Sequence, residues 1–194
     1  MKTIFRNKNR LQLLPVLLLL VFAAAGLAGA EQVHADALIW HTVNMKPGDT
    51  YDVSKAKANT TVFIKKPGNY TLKGKSTHVR VLIQSDEANV YLADGLNLNC
   101  GATSYAGSRT APIWVDEFDG TCKIISKRDA DVYLEGYMCP AIRKEGTKSE
   151  VVFETEDVTR PGTITAQAGS MSAGIGSVFY YDQRREHQSL YIRI

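Results

Sequence analysis

A short acidic cluster comes first among the residues that could do chemistry. Asp116, Glu117 and Asp119 precede Gly120 and bring three carboxylates into one loop-forming segment. Carboxylate oxygens are ligands that calcium prefers, so these three residues are the candidate metal ligands and calcium is the candidate cofactor. The alternative is a solvated turn, because the spacing departs from the calcium loop of helix-loop-helix proteins.

The cysteines and histidines suggest no catalytic or zinc site. The chain contains three cysteines, Cys100, Cys122 and Cys139, and their spacing is not that of a zinc site. Because their number is odd, they allow at most one disulfide with one thiol left over. The alternative is three small side chains packed in a core. The histidines form no HxxxH pair and no recognisable triad. The sequence therefore predicts a protein that is not an enzyme.

Short runs of alternating polarity, separated by Gly, Asn, Asp and Pro, fill the chain from Thr60 onward. None has a helical period of sufficient length, so the sequence predicts an all-β domain. Residues 31–59 are less regular and are predicted to be a lead-in or N-terminal cap. A length of 164 residues after position 30 predicts one domain, and we expect a monomer.

Two sequence elements recur. Asn89-Val-Tyr-Leu and Asp131-Val-Tyr-Leu lie 42 positions apart, from 89 to 131, and an Ala–Ile element appears at Ala111–Ile113, Ala141–Ile142 and Ala173–Ile175. Such spacing indicates stacked repeats. A parallel β-helix, a solenoid in which short strands stack alternate side chains in one core, explains it. Gly162 and Gly174 are predicted to make corners with φ values closed to other residues.

Strand alternation predicts which aromatic rings face outward. If Val90, Leu92, Ile113, Val115, Val132 and Leu134 point into the core, Tyr91, Trp114 and Tyr133 point out of it. Aromatic rings bind sugars by covering their C–H faces, so these three residues are the candidate carbohydrate-binding site, provided that they are contiguous. The alternative is that each ring packs under a loop or covers a strand edge.

Several segments resemble a known family in the order in which they occur. They are TTVFIKKPGNYTLKG, VRVLIQSDEANVYLADGLNL, APIWV, DVYLEG, PAIRKEG and GTITAQAGSMSAGIGS. Together, from about Thr60 to Ser177, they resemble the bacterial secreted carbohydrate-binding β-helix domain of the cohesin-and-dockerin-associated kind, whose repeats end in AGIG. The resemblance implies a right-handed parallel β-helix, export to the cell surface or medium, and non-catalytic binding of polysaccharide, with acidic sugars and calcium as ligands. Its calcium ligands cannot be placed on this chain by motif.

Two other functions compete with polysaccharide binding. A calcium-dependent polysaccharide lyase would need a base to take a proton, and Lys123, Lys127, Arg128 or Arg143 could serve, although nothing singles one of them out. A structural or adhesin solenoid segment, or a non-functional truncated remnant, would have no affinity for glycans.

The N-terminus predicts export. A basic opening, an apolar run and small residues at Ala28 and Ala30 indicate a signal peptide over residues 1–30, with an uncleaved membrane anchor as the alternative. The whole chain has a net charge of +3, but removing residues 1–30 leaves 19 basic against 20 acidic residues. A nearly neutral exported chain is a poor partner for nucleic acid, and cleavage would leave no segment inserted in a membrane.

The C-terminal residues depart from the pattern. The predicted β-helix domain spans residues 60–178, and the tail over residues 179–194 is atypical. Back-translating Gln183–Ser189 and moving the frame by one nucleotide yields Asn-Gly-Gly-Asn-Ile-Lys-Ala with ordinary codons, which is the coil expected after AGIG in the resembling family. We expect a shifted reading frame that truncates the solenoid. The alternative is a natural polar cap.

Overall fold

The computed structural model describes residues 41–100, 111–137, 139–168, 172–176 and 192–193. Contacts divide the chain into two units, Met1–Ile39 and Trp40–Ile194, and every described residue belongs to the second unit. The predicted signal peptide, the first part of the lead-in and most of the tail lie outside the described residues. No helix in the described part of the chain is long and apolar enough to cross a membrane.

The described residues are all-β and form three sheets, apart from a single turn of 3-10 helix at Val53–Lys55. Sheet A contains β1 (His41–Asn44), β3 (Thr60–Ile64), β6 (Val79–Ile83), β9 (Ile113–Val115), β12 (Ile142–Lys144) and β15 (Ile175–Gly176). Sheet B contains β2 (Thr50–Asp52), β4 (Gly68–Lys73), β7 (Ala88–Leu92), β10 (Gly120–Ser126), β13 (Ser149–Thr155) and β16 (Ile192–Arg193). Sheet C contains β5 (Lys75–Ser76), β8 (Asn97–Asn99), β11 (Asp131–Glu135) and β14 (Thr163–Gln167).

The strands within each sheet pair in parallel. From β3 to β14 the chain visits sheets A, B and C in rotation, and from β6 onward each of these strands pairs with the strand three positions earlier. Parallel neighbours cannot be joined by a tight hairpin; here the chain passes through the other two sheets before it returns. We call one such passage a circuit. The prediction of an all-β fold is confirmed, and its sheets are parallel.

A column of β-branched side chains forms the core of sheet A. The strand register aligns Val43, Val62, Val81, Ile113, Ile142 and Ile175. The four central members are at most 1% exposed. Such side chains fit a pleated surface that is buried on one face, so the sequence preference for strands and the burial of the core point to the same structure.

The predicted alternation of inward and outward residues is confirmed on the strands that carry the candidate aromatics. The six residues predicted to face inward are all fully buried: Val90, Leu92, Ile113, Val115, Val132 and Leu134. Tyr91, Trp114 and Tyr133 are each only half-buried. Pro112 differs, because alternation with Ile113 would place it outside and it is buried.

One of the two predicted repeats is structural and the other is not. Ile113, Ile142 and Ile175 of the Ala–Ile element lie in register in sheet A, as a stacked repeat requires. The two Val-Tyr-Leu segments, however, occupy β7 in sheet B and β11 in sheet C. Their similarity reflects a shared inward–outward pattern, so the spacing of 42 residues is not the period of the fold.

The parallel sheets begin before Thr60. In the region expected to be a less regular lead-in, β1 pairs with β3 and β2 pairs with β4. Asp52 ends β2 and accepts a hydrogen bond from the Ser54 backbone N–H (3.1 Å), which caps the 3-10 turn. β1 and β2 therefore belong to the same sheets as the strands that follow.

Close approach of neighbouring backbone, and not a left-handed conformation, explains why glycine occupies positions 162 and 174. Neither Gly162 nor Gly174 has a φ in the positive region, so the predicted left-handed corners at these residues are wrong. A Cβ at Gly162 would overlap the carbonyl oxygen of Lys127, and one at Gly174 would overlap that of Ala166. Glycine is needed there because neighbouring backbone approaches too closely for a side chain.

All three cysteines are buried as thiols. Burial raises the pKa of Cys100 and of Cys122 to about 12, because a thiolate loses its hydration inside the core. The expectation of small side chains packed in the core describes the state of all three residues in this structure.

The buried thiol of Cys122 makes stability depend on alkaline pH. Because its pKa is higher in the folded chain than the ordinary value of about 9, its contribution to stability is complete below pH 9 and is lost as the pH rises towards 12. We expect Cys122→Ala to flatten the fall in unfolding free energy between about pH 9 and 11 by about 1.4 kcal/mol per pH unit, measured by urea denaturation. Parallel pH profiles for the variant and the wild type would contradict this.

Leu134 tests the importance of the inward column in sheet C. It is fully buried on β11 between Leu98 and Ala166. We expect Leu134→Ala to lower the free energy of unfolding by about 2–5 kcal/mol, because it removes packed methyl groups and leaves a cavity. Thr165→Ala, at an exposed position on the next strand, is the control and should change stability by less than about 0.5 kcal/mol.

Candidate functional site

The three aromatic residues of the predicted site lie on three different sheets. Tyr91 lies on β7 of sheet B, Trp114 on β9 of sheet A and Tyr133 on β11 of sheet C. All three are half-buried. They therefore do not form one row along a sheet, and each must be judged by its own neighbours.

Trp114 carries a cation on its ring. The register pairs it with Leu82 on one side and Arg143 on the other, and the guanidinium of Arg143 lies 4.1 Å from the ring centroid. Arg143 is only 3% exposed and forms an ion pair with Glu145. A cation over an indole face is a favourable contact. One face of the indole is therefore covered by the guanidinium group.

Two polar nitrogens in this stack have no hydrogen-bond partner. They are Nε1 of Trp114 and Nε of Arg143, and both atoms are buried. Buried donors without acceptors cost stability, so the stack depends on the ring contact and on the ion pair with Glu145.

Tyr91 lies among mixed neighbours. Its row on sheet B contains Thr71, Ile125 and, at the far side, Glu154. Ile125 is 6% exposed although it is in register with the outward Tyr91. Glu154 forms an ion pair with Lys123 at 2.8 Å. This row combines a buried isoleucine and a threonine with one carboxylate that is engaged in an ion pair, and the adjacent outward row contains Asn69, Asn89 and Lys123.

Tyr133 lies at the centre of a polar surface, which we call the sheet C face. One row across the strands consists of Lys75, Asn97, Tyr133 and Thr165, and the adjacent row consists of Asn99, Glu135 and Gln167. All seven side chains are half-buried or exposed, whereas Leu98 and Leu134 between them are fully buried. The parallel register thus places amide, hydroxyl, carboxylate and ammonium groups around one ring.

The hydroxyl group of Tyr133 links two strands. Its oxygen lies 2.8 Å from Oε2 of Glu135 and 2.9 Å from the side-chain amide of Gln167. A phenol has one proton and can donate to only one acceptor at a time. Donation to Glu135, with the Gln167 amide turned so that its NH2 donates to the phenol, satisfies the hydroxyl group with one acceptor and one donor.

The surroundings of Tyr133 shift the pKa of its hydroxyl group. The bond to Glu135 raises the pKa of Tyr133, and partial burial and the negative charge of Glu135 act in the same direction. Tyr133 therefore remains a neutral donor over the physiological pH range, with its ring held against the sheet and its hydroxyl fixed at one position.

The predicted metal ligands do not form a cluster. Asp116 accepts hydrogen bonds from Nε2 of Gln84 and from the backbone N–H of Glu117, both at 2.9 Å. The Glu117 side chain packs against Gly146, and Asp119 lies 3.8 Å from Nζ of Lys148. Within the described ranges, no three His, Cys, Asp or Glu side chains are grouped as a metal site would require. Calcium binding stays a prediction.

The basic residues considered for a lyase are separated and engaged. Lys123 pairs with Glu154 on sheet B, Arg143 covers Trp114 on sheet A, and Arg128 lies near Asp129 and Asp157 at the turn after β10.

A cavity of about 680 Å³ opens where the last described circuit ends. Its lining includes Phe153 of sheet B, Ile164 of sheet C and Ile175 of sheet A, all at partly buried core positions. Val158, which is 84% exposed, lies at its rim. The lining is mainly apolar, although Ser126, Glu154 and Thr155 also contribute to it.

Six members of the sheet C face were absent from the predicted site: Lys75, Asn97, Asn99, Glu135, Thr165 and Gln167. Alternation within each strand identifies them as outward positions. Their meeting on one surface depends on the pairing of β8, β11 and β14, which no local pattern specifies.

No family model, no curated protein and no solved structure matches the chain. The resemblance to the carbohydrate-binding β-helix domain stays a hypothesis.

Removing the cation from Trp114 tests the arrangement in sheet A. In a Trp40→Phe background, which leaves one indole, we expect Arg143→Ala to increase acrylamide quenching of Trp114 fluorescence. We also expect it to lower the free energy of unfolding by about 1–2 kcal/mol. Lys123→Ala, which removes a cation from sheet B, is the matched control. Equal quenching in both variants would contradict the stacked geometry.

Proposed function

We propose that the chain folds into a right-handed parallel β-helix with three sheets. The support is the rotation through sheets A, B and C, together with parallel pairing between successive circuits. Right-handed crossovers are the rule for parallel strands. In such a solenoid each circuit is stabilised mainly by the circuits above and below it.

We further propose that the protein binds polysaccharide without cleaving it, and that the sheet C face is the binding surface. The observation that carries this proposal is the hydrogen-bonded set of Tyr133, Glu135 and Gln167 across two adjacent strands. Asn97 and Asn99 extend the surface on a third strand. A ring for sugar C–H groups and fixed donors and acceptors for hydroxyls are the two requirements of such a site.

The repetition of the strands suits a polymer better than a small ligand. Neighbouring strands lie about 4.8 Å apart, so a parallel sheet offers similar polar groups at regular intervals. Sheet C presents Asn97 next to Tyr133, and Asn99 next to Glu135. A chain of repeated sugars would meet a repeated set of partners.

Location and partners follow as parts of the same proposal. We propose a bacterial exported or cell-surface binding module that acts as a monomer. The near balance of charge after residue 30 disfavours nucleic acid, and the terminal apolar run supports export. The competing proposal is a structural or adhesin segment, which the tight pairing of side chains in sheets A and B favours. A lyase is the weakest alternative, because two of its basic candidates, Lys123 and Arg143, are engaged.

Affinity electrophoresis in gels containing neutral or acidic polysaccharides tests the proposed surface. We expect Tyr133→Ala to weaken binding at least about tenfold, which corresponds to about 1.4 kcal/mol, because the ring and its hydroxyl contacts are lost together. Tyr91→Ala is the matched control, since Tyr91 is also a half-buried outward tyrosine but lies on sheet B. Trp114→Ala tests the third aromatic residue.

The possible outcomes separate the alternatives. Loss of binding in Tyr133→Ala alone supports the sheet C face, and equal loss in all three variants supports a site shared by the three aromatics. No retardation by any polysaccharide would favour the structural role. Repeating the assay with calcium and with a chelator tests the cofactor, and ultraviolet absorbance of an unsaturated product would reveal a lyase.

A further inference from the structure

The three cysteines lie at two different places in the fold. Cys122 is on β10 of sheet B, opposite Val151. Cys100 directly follows β8, and Cys139 follows β11, which is the neighbouring strand of sheet C. Cys100 and Cys139 therefore occupy the same corner, where the chain leaves sheet C for sheet A, in consecutive circuits.

Backbone contacts bring this pair together. Asn99 pairs with Glu135, and the N–H of Cys100 donates to the carbonyl oxygen of Glu135 at 2.8 Å. Cys100 thus lies beside Gly136. After Gly136 the backbone of the following residues returns close to this glycine. A Cβ added at Gly136 would overlap the carbonyl oxygen of Cys139 and would lie 2.7 Å from that of Pro140. The backbone of Cys139 consequently packs against the residue beside Cys100.

The surroundings of both thiols point in the same direction. Cys100 is 2% exposed and Cys139 is fully buried. Burial is the main cause of the raised pKa of Cys100, and the nearby Cys139 is the next largest. Each Sγ lies near a backbone carbonyl, that of Val79 at 3.6 Å for Cys100 and that of Pro140 at 3.5 Å for Cys139. Because both thiols are already buried, a covalent bond between their sulfur atoms would not require any further polar group to be removed from water.

We propose that Cys100 and Cys139 form a disulfide that joins two consecutive circuits, and that Cys122 is the thiol left over. The oxidant is a low-molecular-weight disulfide such as oxidised glutathione. The thiolate of one cysteine attacks it and releases one reduced glutathione. The second cysteine then displaces the other glutathione from the mixed disulfide, so the two electrons and two protons of the pair end on two glutathione thiols.

The reaction belongs to the folding stage of the chain. In the folded state a pKa of about 12 for Cys100 leaves almost no thiolate at neutral pH, and burial excludes the oxidant. Exchange therefore proceeds while the corner between β11 and β12 is still open. Once formed, the disulfide closes the loop from residue 100 to residue 139 and protects this corner from opening.

Peptide mapping of the full chain tests the pairing. The protein is refolded from denaturant in a mixture of reduced and oxidised glutathione, the remaining thiols are alkylated under denaturing conditions, and the digest is examined by mass spectrometry. We expect one linked peptide pair, Cys100 with Cys139, and alkylated Cys122. A disulfide that includes Cys122, or three alkylated cysteines, would overturn the proposal.

Thermal unfolding of oxidised and reduced samples is the second measurement. We expect oxidation to raise the Tm of the wild type and of Cys122→Ala by roughly 5–15 °C. Cys139→Ala should show no such rise, because its remaining cysteines do not lie at one corner. A rise in Cys139→Ala, or none in Cys122→Ala, would contradict the assignment. If a variant does not fold, the wild-type peptide map still decides the pairing.

Discussion

The register of the parallel strands is the constraint on which the rest of the structure depends. In sheet A it stacks Val62, Val81, Ile113 and Ile142 in one column, with at most 1% of each side chain exposed. A slip of one residue in any strand would turn its inward side chains to solvent. The burial of the core therefore fixes the register, and the register in turn fixes every row of side chains on the outside.

This dependence explains why three aromatic residues with similar sequence surroundings have different chemistry. The register that stacks Leu98 and Leu134 inside sheet C also sets Asn97 beside Tyr133 on its outer face. In sheet A the same principle sets Arg143 beside Trp114. What an outward ring can bind is decided by its neighbours on the adjacent strands, and these neighbours come from distant parts of the sequence.

The same reasoning separates what the sequence could predict from what it could not. The period of two within a strand is a local property, so the burial of Val132 and Leu134 and the outward position of Tyr133 could be predicted. The sheet to which a strand belongs depends on how the chain returns between circuits. The segments around Tyr91 and Tyr133 look alike and yet lie on different sheets. Likewise, the corner shared by Cys100 and Cys139 follows only from the pairing of β8 with β11.

The burial of a core residue also depends on the neighbouring circuit, so the strands that carry the sheet C face are packed to different extents. Ile124 and Val132 are fully buried, whereas Phe153 and Ile164, their partners in the register one circuit later, are only partly buried and line the open cavity. β11 is therefore packed more firmly than β14. Glu135 lies on β11, the more tightly packed strand, and Gln167 lies on β14, the less tightly packed one. Because the hydroxyl of Tyr133 contacts both, packing around Ile164 controls how well the outer face is preorganised, although Ile164 itself faces the core.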